Sequence, residues 1–166
     1  MAIFVEGLIE QEWSVPIPRP LNDWIHIRTK VYLDKRIRDL FSECCYGVQA
    51  KITKDRIANK NYYVIILFDA HGEICLKTTG GKFLGTQFSM IIYPVQDWLD
   101  ENLSDQIIAL SIIEEMCHYF WSISDEWEVQ KYVVDAYKRA FPKWKAVYPY
   151  KDRNTLQLLP EFLYSK

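Results

Sequence analysis

The segment that follows Ser104 constrains the fold of this chain more than any other. Ser104 and Asp105 are typical of a helix start, and apolar residues occupy most of the positions from there to Trp121. They are Ile107, Ile108, Leu110, Ile112, Ile113, Met116, Cys117, Phe120 and Trp121. A helix with so few polar positions is expected to be buried on most of its sides.

Three ionisable residues, Glu114, Glu115 and His118, interrupt this apolar stretch. Glu114 and His118 are four positions apart, which on a helix is a rotation of about 40°, so both side chains project from one face. The same spacing lets the pattern His-Glu-x-x-His bind zinc, with the intervening Glu as the general base. In the pattern found here, Glu-Glu-x-x-His, Glu114 stands where that zinc motif has its first histidine.

A second helix is predicted shortly after the first. Asp125 and Glu128 have the spacing of a capping box, and Pro142 is expected to stop the helix. Its apolar stripe consists of Val129, Val133, Ala136 and Ala140. The acids Asp125, Glu126 and Glu128 would then lie at its start, a short distance along the chain from His118.

The sequence before residue 60 predicts an arm and a long helix. The segment 15–20 contains three prolines and is expected to be extended. Asn22 and Asp23 can cap a helix, and an apolar stripe with Lys and Arg between its members predicts that helix over about 23–45, ending near Gly47.

Residues 61–94 predict three strands. The runs 61–68, 73–79 and 82–94 are rich in β-branched and aromatic residues, and short glycine-bearing turns separate them. Such a pattern is typical of an antiparallel meander. The predicted architecture is a single α+β domain, 1–166: an N-terminal helix, a three-stranded antiparallel meander, two packed C-terminal helices, and an irregular tail over 143–166 that packs on the body.

Net charge and hydropathy limit the classes of partner that this chain is expected to bind. The net charge is −2, and the 20 Lys and Arg residues are scattered along the chain, so nucleic acid is not expected as a partner. No apolar run reaches the roughly 18 residues that span a bilayer. The first ten residues carry two acids and no basic residue, unlike a secretory signal. The expectation is a cytoplasmic protein with no membrane partner.

Taken together, the order of elements and the Glu-Glu-x-x-His motif resemble the zincin-like metallopeptidases of the ImmA/IrrE kind, over about residues 60–140. The resemblance implies that Glu115 is the catalytic base, that His118 is a metal ligand, and that Glu126 or Glu128 is the third ligand. It also implies that the run 89–94, SMIIYP, is the edge strand that aligns an extended peptide. The departure from the family's motif lies at Glu114.

This departure changes the expected chemistry. Glu114, His118, Glu126 and Glu128 would form a metal site with one imidazole and several carboxylates, for Zn or Mn. Carboxylates neutralise the ion and make it a weaker Lewis acid, so water activation would suffer. The predicted function is therefore a non-catalytic or weakly metal-binding pseudo-peptidase that binds a protein or an extended peptide; if active, it would be a metal-dependent peptidase.

A second interpretation needs no metal. Asp125 and Glu128 are explained by helix capping, and His118 by a hydrogen bond to a backbone carbonyl. The chain would then be a protein–protein interaction or regulatory module without a cofactor.

Overall fold

The computed structural model describes residues 3–58, 63–78 and 89–144. In chain order the elements are β1 (Ile3–Val5), α1 (Leu21–Trp24), β2 (Ile25–Thr29), α2 (Lys35–Asp55), β3 (Val64–Asp69), β4 (Leu76–Thr78), β5 (Ser89–Pro94), α3 (Val95–Asp100), α4 (Asp105–Trp121) and α5 (Glu126–Ala140). Within these residues the fold is α+β.

The main sheet has three parallel strands in the order β2-β3-β5, so β3 is the central strand. Ile25 of β2 pairs with Val64 of β3, and Val64 pairs in turn with Ser89 of β5. The short strands β1 and β4 form a separate antiparallel pair. β5 is therefore an edge strand of the described sheet.

The predicted antiparallel meander is wrong. β4 does not join β3 but pairs with β1, and the longer path between β3 and β5 lets β5 return parallel to β3, which a tight hairpin cannot do. β3 is also buried at five of its six positions, and such continuous burial is typical of a parallel strand with both faces covered. Residues 79–88, which contain the glycine-bearing turn predicted between the second and third runs, lie outside the described residues.

The predicted helix over 23–45 is also wrong in its first half. Helix α1 ends at Trp24 and the chain continues as strand β2, in which Ile25 and Thr29 are buried while His26 and Arg28 are exposed. The long helix starts only at Lys35, where the side chain of Asp34 accepts a hydrogen bond from the Ile37 N–H at 2.8 Å. Ile25, Ile27 and Thr29 alternate with polar residues, and the period of two in this segment outweighed the helical stripe read across it.

Both helices predicted after residue 104 are present. Ser104 caps α4 through the N–H of Ile107, and Asp125 caps α5 through the N–H of Glu128. The structure confirms the predicted burial of α4, because nine of its residues are buried: Ile107, Ile108, Ala109, Leu110, Ile112, Ile113, Met116, Cys117 and Phe120. No helix in the described part of the chain is long and apolar enough to cross a membrane.

Helices α2, α4 and α5 pack against one another. Helices α2 and α5 approach each other closely at Gly47, where a Cβ atom would collide with the carbonyl oxygen of Ala136 and would lie 2.6 Å from the Cβ of Ala140. The absence of a side chain at Gly47 therefore sets the position of α5 against α2.

The proline-rich segment 15–20 follows the surface of α2. The Ser42 hydroxyl donates to the carbonyl of Pro16, and Arg38 donates to the Ser14 hydroxyl at 3.1 Å. Of the predicted packed tail, 143–166, all but residues 143 and 144 lies outside the described residues.

Candidate metal centre

The turn between α4 and α5 brings the candidate residues together. Ser122 ends α4 in the left-handed conformation, with φ of 54°, and the N–H of Ile123 donates back to the carbonyl of His118 at 3.2 Å. This reversal is typical of helix C-termini. Three residues later α5 begins, so its first turn lies beside the last turn of α4.

Glu114 and His118 of α4 meet Glu126 of α5. Each residue offers one ligand atom, and these three atoms all lie within 4.8 Å of one another. The structure therefore shows a group of two carboxylates and one imidazole that could hold a metal ion.

The orientation of the His118 ring is fixed by the turn. Its Nδ1 lies 2.6 Å from the carbonyl oxygen of Ile123, and a carbonyl only accepts, so Nδ1 carries a proton and donates it. In the neutral ring Nε2 is then the unprotonated nitrogen. A backbone carbonyl on the far nitrogen is the usual way in which a metal-binding histidine is oriented.

Nε2 of His118 faces the Glu126 carboxylate, with 3.2 Å between Nε2 and Oε2. Two lone pairs at this separation repel each other unless a cation lies between them. A proton can do so, as can a metal, because ligand atoms about 2.0–2.2 Å from a tetrahedral zinc lie about 3.3–3.6 Å apart. The pair thus already has nearly the spacing of two ligands of one ion.

The pKa of His118 reflects this environment. Its side chain is only 18% exposed, and burial by itself lowers the pKa. The Ile123 carbonyl and the carboxylates of Glu126 and Glu115 outweigh burial and raise the pKa above its usual value. Without a metal the imidazole therefore holds its proton more tightly than a free histidine does, and a metal ion would have to displace that proton.

Glu115, the candidate base, is not one of the three converging residues. It is largely exposed, yet the protein around its carboxyl group excludes enough water to raise the pKa, against a lowering by His118 and with a further rise from Glu126. Its carboxylate is thus close enough to sense both residues. A raised pKa is a property expected of a general base.

Glu128, the fourth residue predicted to bind the metal, is placed elsewhere. It is exposed and its carboxylate lies 3.2 Å from Nζ of Lys131, on its own helix. The backbone N–H of Glu128 donates a hydrogen bond to the Asp125 carboxylate at 2.8 Å, so the predicted helix cap is present. Of the two acids that the sequence offered as a third ligand, the structure brings Glu126 to His118.

The sequence did not predict that two polar residues, one on α5 and one on α2, are buried. Gln130, one turn after Glu126, is 1% exposed, and both polar atoms of its amide lack a hydrogen-bond partner within the described part of the chain. Lys51 of α2 is 6% exposed and lies 2.7 Å from Asp55 and 3.3 Å from Asp135. A glutamine inside the apolar stripe of α5 was a visible signal; the lysine gave none, because its burial depends on a helix far along the chain.

Comparison with known proteins adds no assignment. No protein-family model, no curated protein and no solved structure matches the chain.

The chemistry that the centre permits follows from its donors. Two carboxylates balance the charge of a divalent cation, and one imidazole adds a nitrogen ligand. Glu126 is 46% exposed, so solvent can reach its side of the cluster. Three protein ligands with a solvent-facing position are the arrangement that leaves room for water or for an external ligand.

Proposed function

We propose that the α4–α5 hairpin holds a divalent metal ion through Glu114, His118 and Glu126, within a zincin-like domain that binds a protein or an extended peptide and has little or no peptidase activity. The observation that carries the proposal is the orientation of His118. Its Nδ1 is committed to the Ile123 carbonyl, and its Nε2 faces a carboxylate 3.2 Å away.

The low activity follows from the ligands. Two carboxylates neutralise a divalent cation before it meets a substrate, so the cation polarises a water or a peptide carbonyl less than it would with imidazole ligands. Glu115 remains next to the cluster and could act as a base, but on a water that is less acidic. In this proposal the domain therefore still binds a protein or peptide but has little or no peptidase activity.

The proposal that the partner is an extended peptide depends on strand β5. An extended peptide can pair with an exposed sheet edge through main-chain hydrogen bonds, and β5 is an edge strand of the described sheet. Its Tyr93 hydroxyl donates to the carbonyl of Ile112 in α4 at 2.8 Å. Strand β5 is thus hydrogen-bonded directly to the helix that carries Glu114 and His118.

The test is metal binding by the full chain, purified without a metal-affinity tag. Calorimetric titration with Zn²⁺ and Mn²⁺ should show one site, and Glu126→Gln or His118→Ala should weaken binding by at least tenfold, since each removes a ligand. Glu128→Gln is the matched control: it neutralises an acid two positions from Glu126 that pairs with Lys131, and should leave the affinity unchanged. Equal effects of Glu126→Gln and Glu128→Gln would contradict the site.

The second candidate is an interaction module without a metal, and the same His118–Ile123 hydrogen bond favours it. In that function the bond holds the α4–α5 turn, and Glu126 pairs with a protonated imidazole. Wild-type protein that binds neither Zn²⁺ nor Mn²⁺ at near-millimolar concentration would decide for this candidate.

A further inference from the structure

Gln130 is a polar residue in an apolar surrounding. It lies on the buried side of α5, where Val129 and Val133 are completely inaccessible and Gln130 itself is 1% exposed. Among the residues that the structure describes, neither Nε2 nor Oε1 of its side chain has a hydrogen-bond partner. A donor and an acceptor left unpaired in the interior cost free energy, and a leucine would fill a similar volume without that cost.

The position of Gln130 relates it to the proposed metal cluster, which consists of Glu114, His118 and Glu126. Residues four apart on a helix lie on one face with Cβ atoms about 5–6 Å apart, so Gln130 is the neighbour of Glu126 one turn further along α5. Helices α4 and α5 run antiparallel across a short turn, with His118 opposite Glu126. Glu114 lies one helical turn before His118 on α4, and Gln130 lies one helical turn after Glu126 on α5.

By this register Gln130 is the residue of α5 opposite Glu114, on the buried side of the hairpin. Glu126, whose side chain is 46% exposed, lies on the solvent side. A cation held in this cluster would meet a neutral oxygen from α5 in addition to the three converging ligands. Coordination would satisfy Oε1, and Nε2 could donate to a carboxylate of the same cluster. An amide oxygen is a ligand suited to hard cations.

We infer that Gln130 is the fourth protein donor of the proposed metal centre and shifts the relative affinity of that centre toward a harder divalent cation such as Mn²⁺. This inference rests on the proposed function. The complete set is two carboxylate oxygens, one amide oxygen and one imidazole nitrogen, and oxygen-rich sets favour Mn²⁺ relative to imidazole- or thiolate-rich sites.

The experiment compares four versions of the full chain by calorimetry with Mn²⁺ and Zn²⁺, and by urea unfolding in the presence of chelator. Gln130→Leu should weaken Mn²⁺ binding by about tenfold or more, with a smaller loss for Zn²⁺, while the metal-free protein unfolds at a higher urea concentration because the unpaired amide is gone. Gln130→Glu should bind Mn²⁺ more tightly than wild type, since a carboxylate is a stronger donor at the same place.

Gln49→Leu is the matched control. Gln49 is the other buried glutamine of the described helices, but its Oε1 accepts from the N–H of Leu21 at 2.8 Å and its Nε2 donates to Thr53 at 3.2 Å. Its loss should lower the urea midpoint and leave metal binding unchanged. If Gln130→Leu does not fold, Gln130→Met, which keeps the length of the side chain, takes its place.

The outcomes separate the two proposals. Wild-type metal binding that depends on His118 and Glu126 but not on Gln130 overturns the inference and leaves the metal centre standing. Weaker Mn²⁺ binding in both Gln130→Leu and Gln130→Glu also overturns it, because a residue that only donates to a carboxylate would behave in that way. Wild-type protein without metal binding overturns both.

Discussion

Helix α5 carries two clusters of charge, and they are built differently. At its start Glu126 meets His118 of α4. Further along, Asp135 meets Lys51 and Lys54 of α2 and Arg139 of its own helix. We call the second group the lysine cluster, defined as Lys51, Lys54, Asp55, Asp135 and Arg139. Both clusters join α5 to a neighbouring helix, but only the lysine cluster contains permanent cations among these contacts.

The lysine cluster is complete in itself. The Lys51 ammonium group lies between the carboxylates of Asp55 and Asp135 and 4.9 Å from the ring centre of Tyr132. Asp55 also accepts from the indole N–H of Trp121 at 2.9 Å. Burial alone would raise the pKa of Asp135, but hydrogen bonds from Lys54 and Lys51 lower it to about 2. These carboxylates stay ionised because their cation is covalently part of the chain.

The proposed metal cluster, Glu114, His118 and Glu126, has no lysine or arginine among its three residues. In the described contacts the partner of the Glu126 carboxylate is the His118 imidazole, which carries a positive charge only while it is protonated. A proton can be exchanged for a metal; the ammonium group of a buried lysine cannot. We therefore expect the lysine cluster to stabilise the fold and the proposed metal cluster to exchange its cation with solvent. Substitutions in each cluster test this difference.

The largest effect is expected from Lys51→Met. It leaves Asp55 and Asp135 partly buried without their central cation, and removal of one partner of a buried pair costs about 3–5 kcal/mol; since both carboxylates retain about a quarter of their exposure, we expect about 3 kcal/mol of lost unfolding free energy. Urea unfolding at pH 7 measures it. Lys54→Met, at a side chain 56% exposed, is the control and should cost less than about 1 kcal/mol. Equal losses would mean that Lys51 is not the centre of the cluster.

Acid should weaken the same cluster. The pKa of Asp135 is depressed in the folded state, so its contribution is complete above the unfolded pKa of about 3.9 and is lost as pH falls toward the folded pKa of about 2. The expected loss is about 2 kcal/mol between pH 5 and pH 2. The measurement is the difference in unfolding free energy between wild type and Asp135→Asn, which should shrink over that range. A difference independent of pH would show that Asp135 gains nothing from its lysines.

Changing the metal cluster should alter its affinity more than the fold. Glu114→His restores the His-Glu-x-x-His pattern, and the added imidazole should raise zinc affinity by at least tenfold, about 1.4 kcal/mol. Titration of the variant with Zn²⁺ checks this, and peptidase assays should show negligible turnover for wild type. Zinc affinity equal to that of wild type would count against the zincin-like interpretation.

The smallest effect is expected from Glu126→Gln without metal. Because Glu126 is nearly half exposed, its pair with His118 should contribute less than about 1 kcal/mol, well below the cost of Asp135→Asn at pH 7. Urea unfolding of both variants in chelator gives the two numbers side by side. A cost for Glu126→Gln as large as that for Asp135→Asn would make the first cluster structural as well.

The sequence predicted best what depends on neighbours in the chain. Ser104 and Asp125 identified the starts of α4 and α5, and the spacing of Glu114 and His118 placed them on one face. Strand pairing was mispredicted because it depends on distant segments: β4 offers the same pattern whether it pairs with β3 or with β1. The sequence around Lys51 is that of an ordinary exposed helix lysine, and only the packing of α5 buries it. After Trp24 the sequence contains both a period of two and an apolar stripe of helical spacing, and pairing with β3 decided for the strand.

The short sequence separation of the proposed metal ligands has a consequence for how the chain folds. His118 and Glu126 are separated by 8 positions, and closing a loop of about ten residues takes only about 10–100 ns. The parallel sheet joins Ile25 to Val64 and Val64 to Ser89, and contacts between distant segments form slowly. A cation present during folding would therefore meet its ligands before the sheet exists. It should speed refolding more than it slows unfolding, and its binding to the incomplete chain should make it stabilise the native state less than its affinity alone indicates.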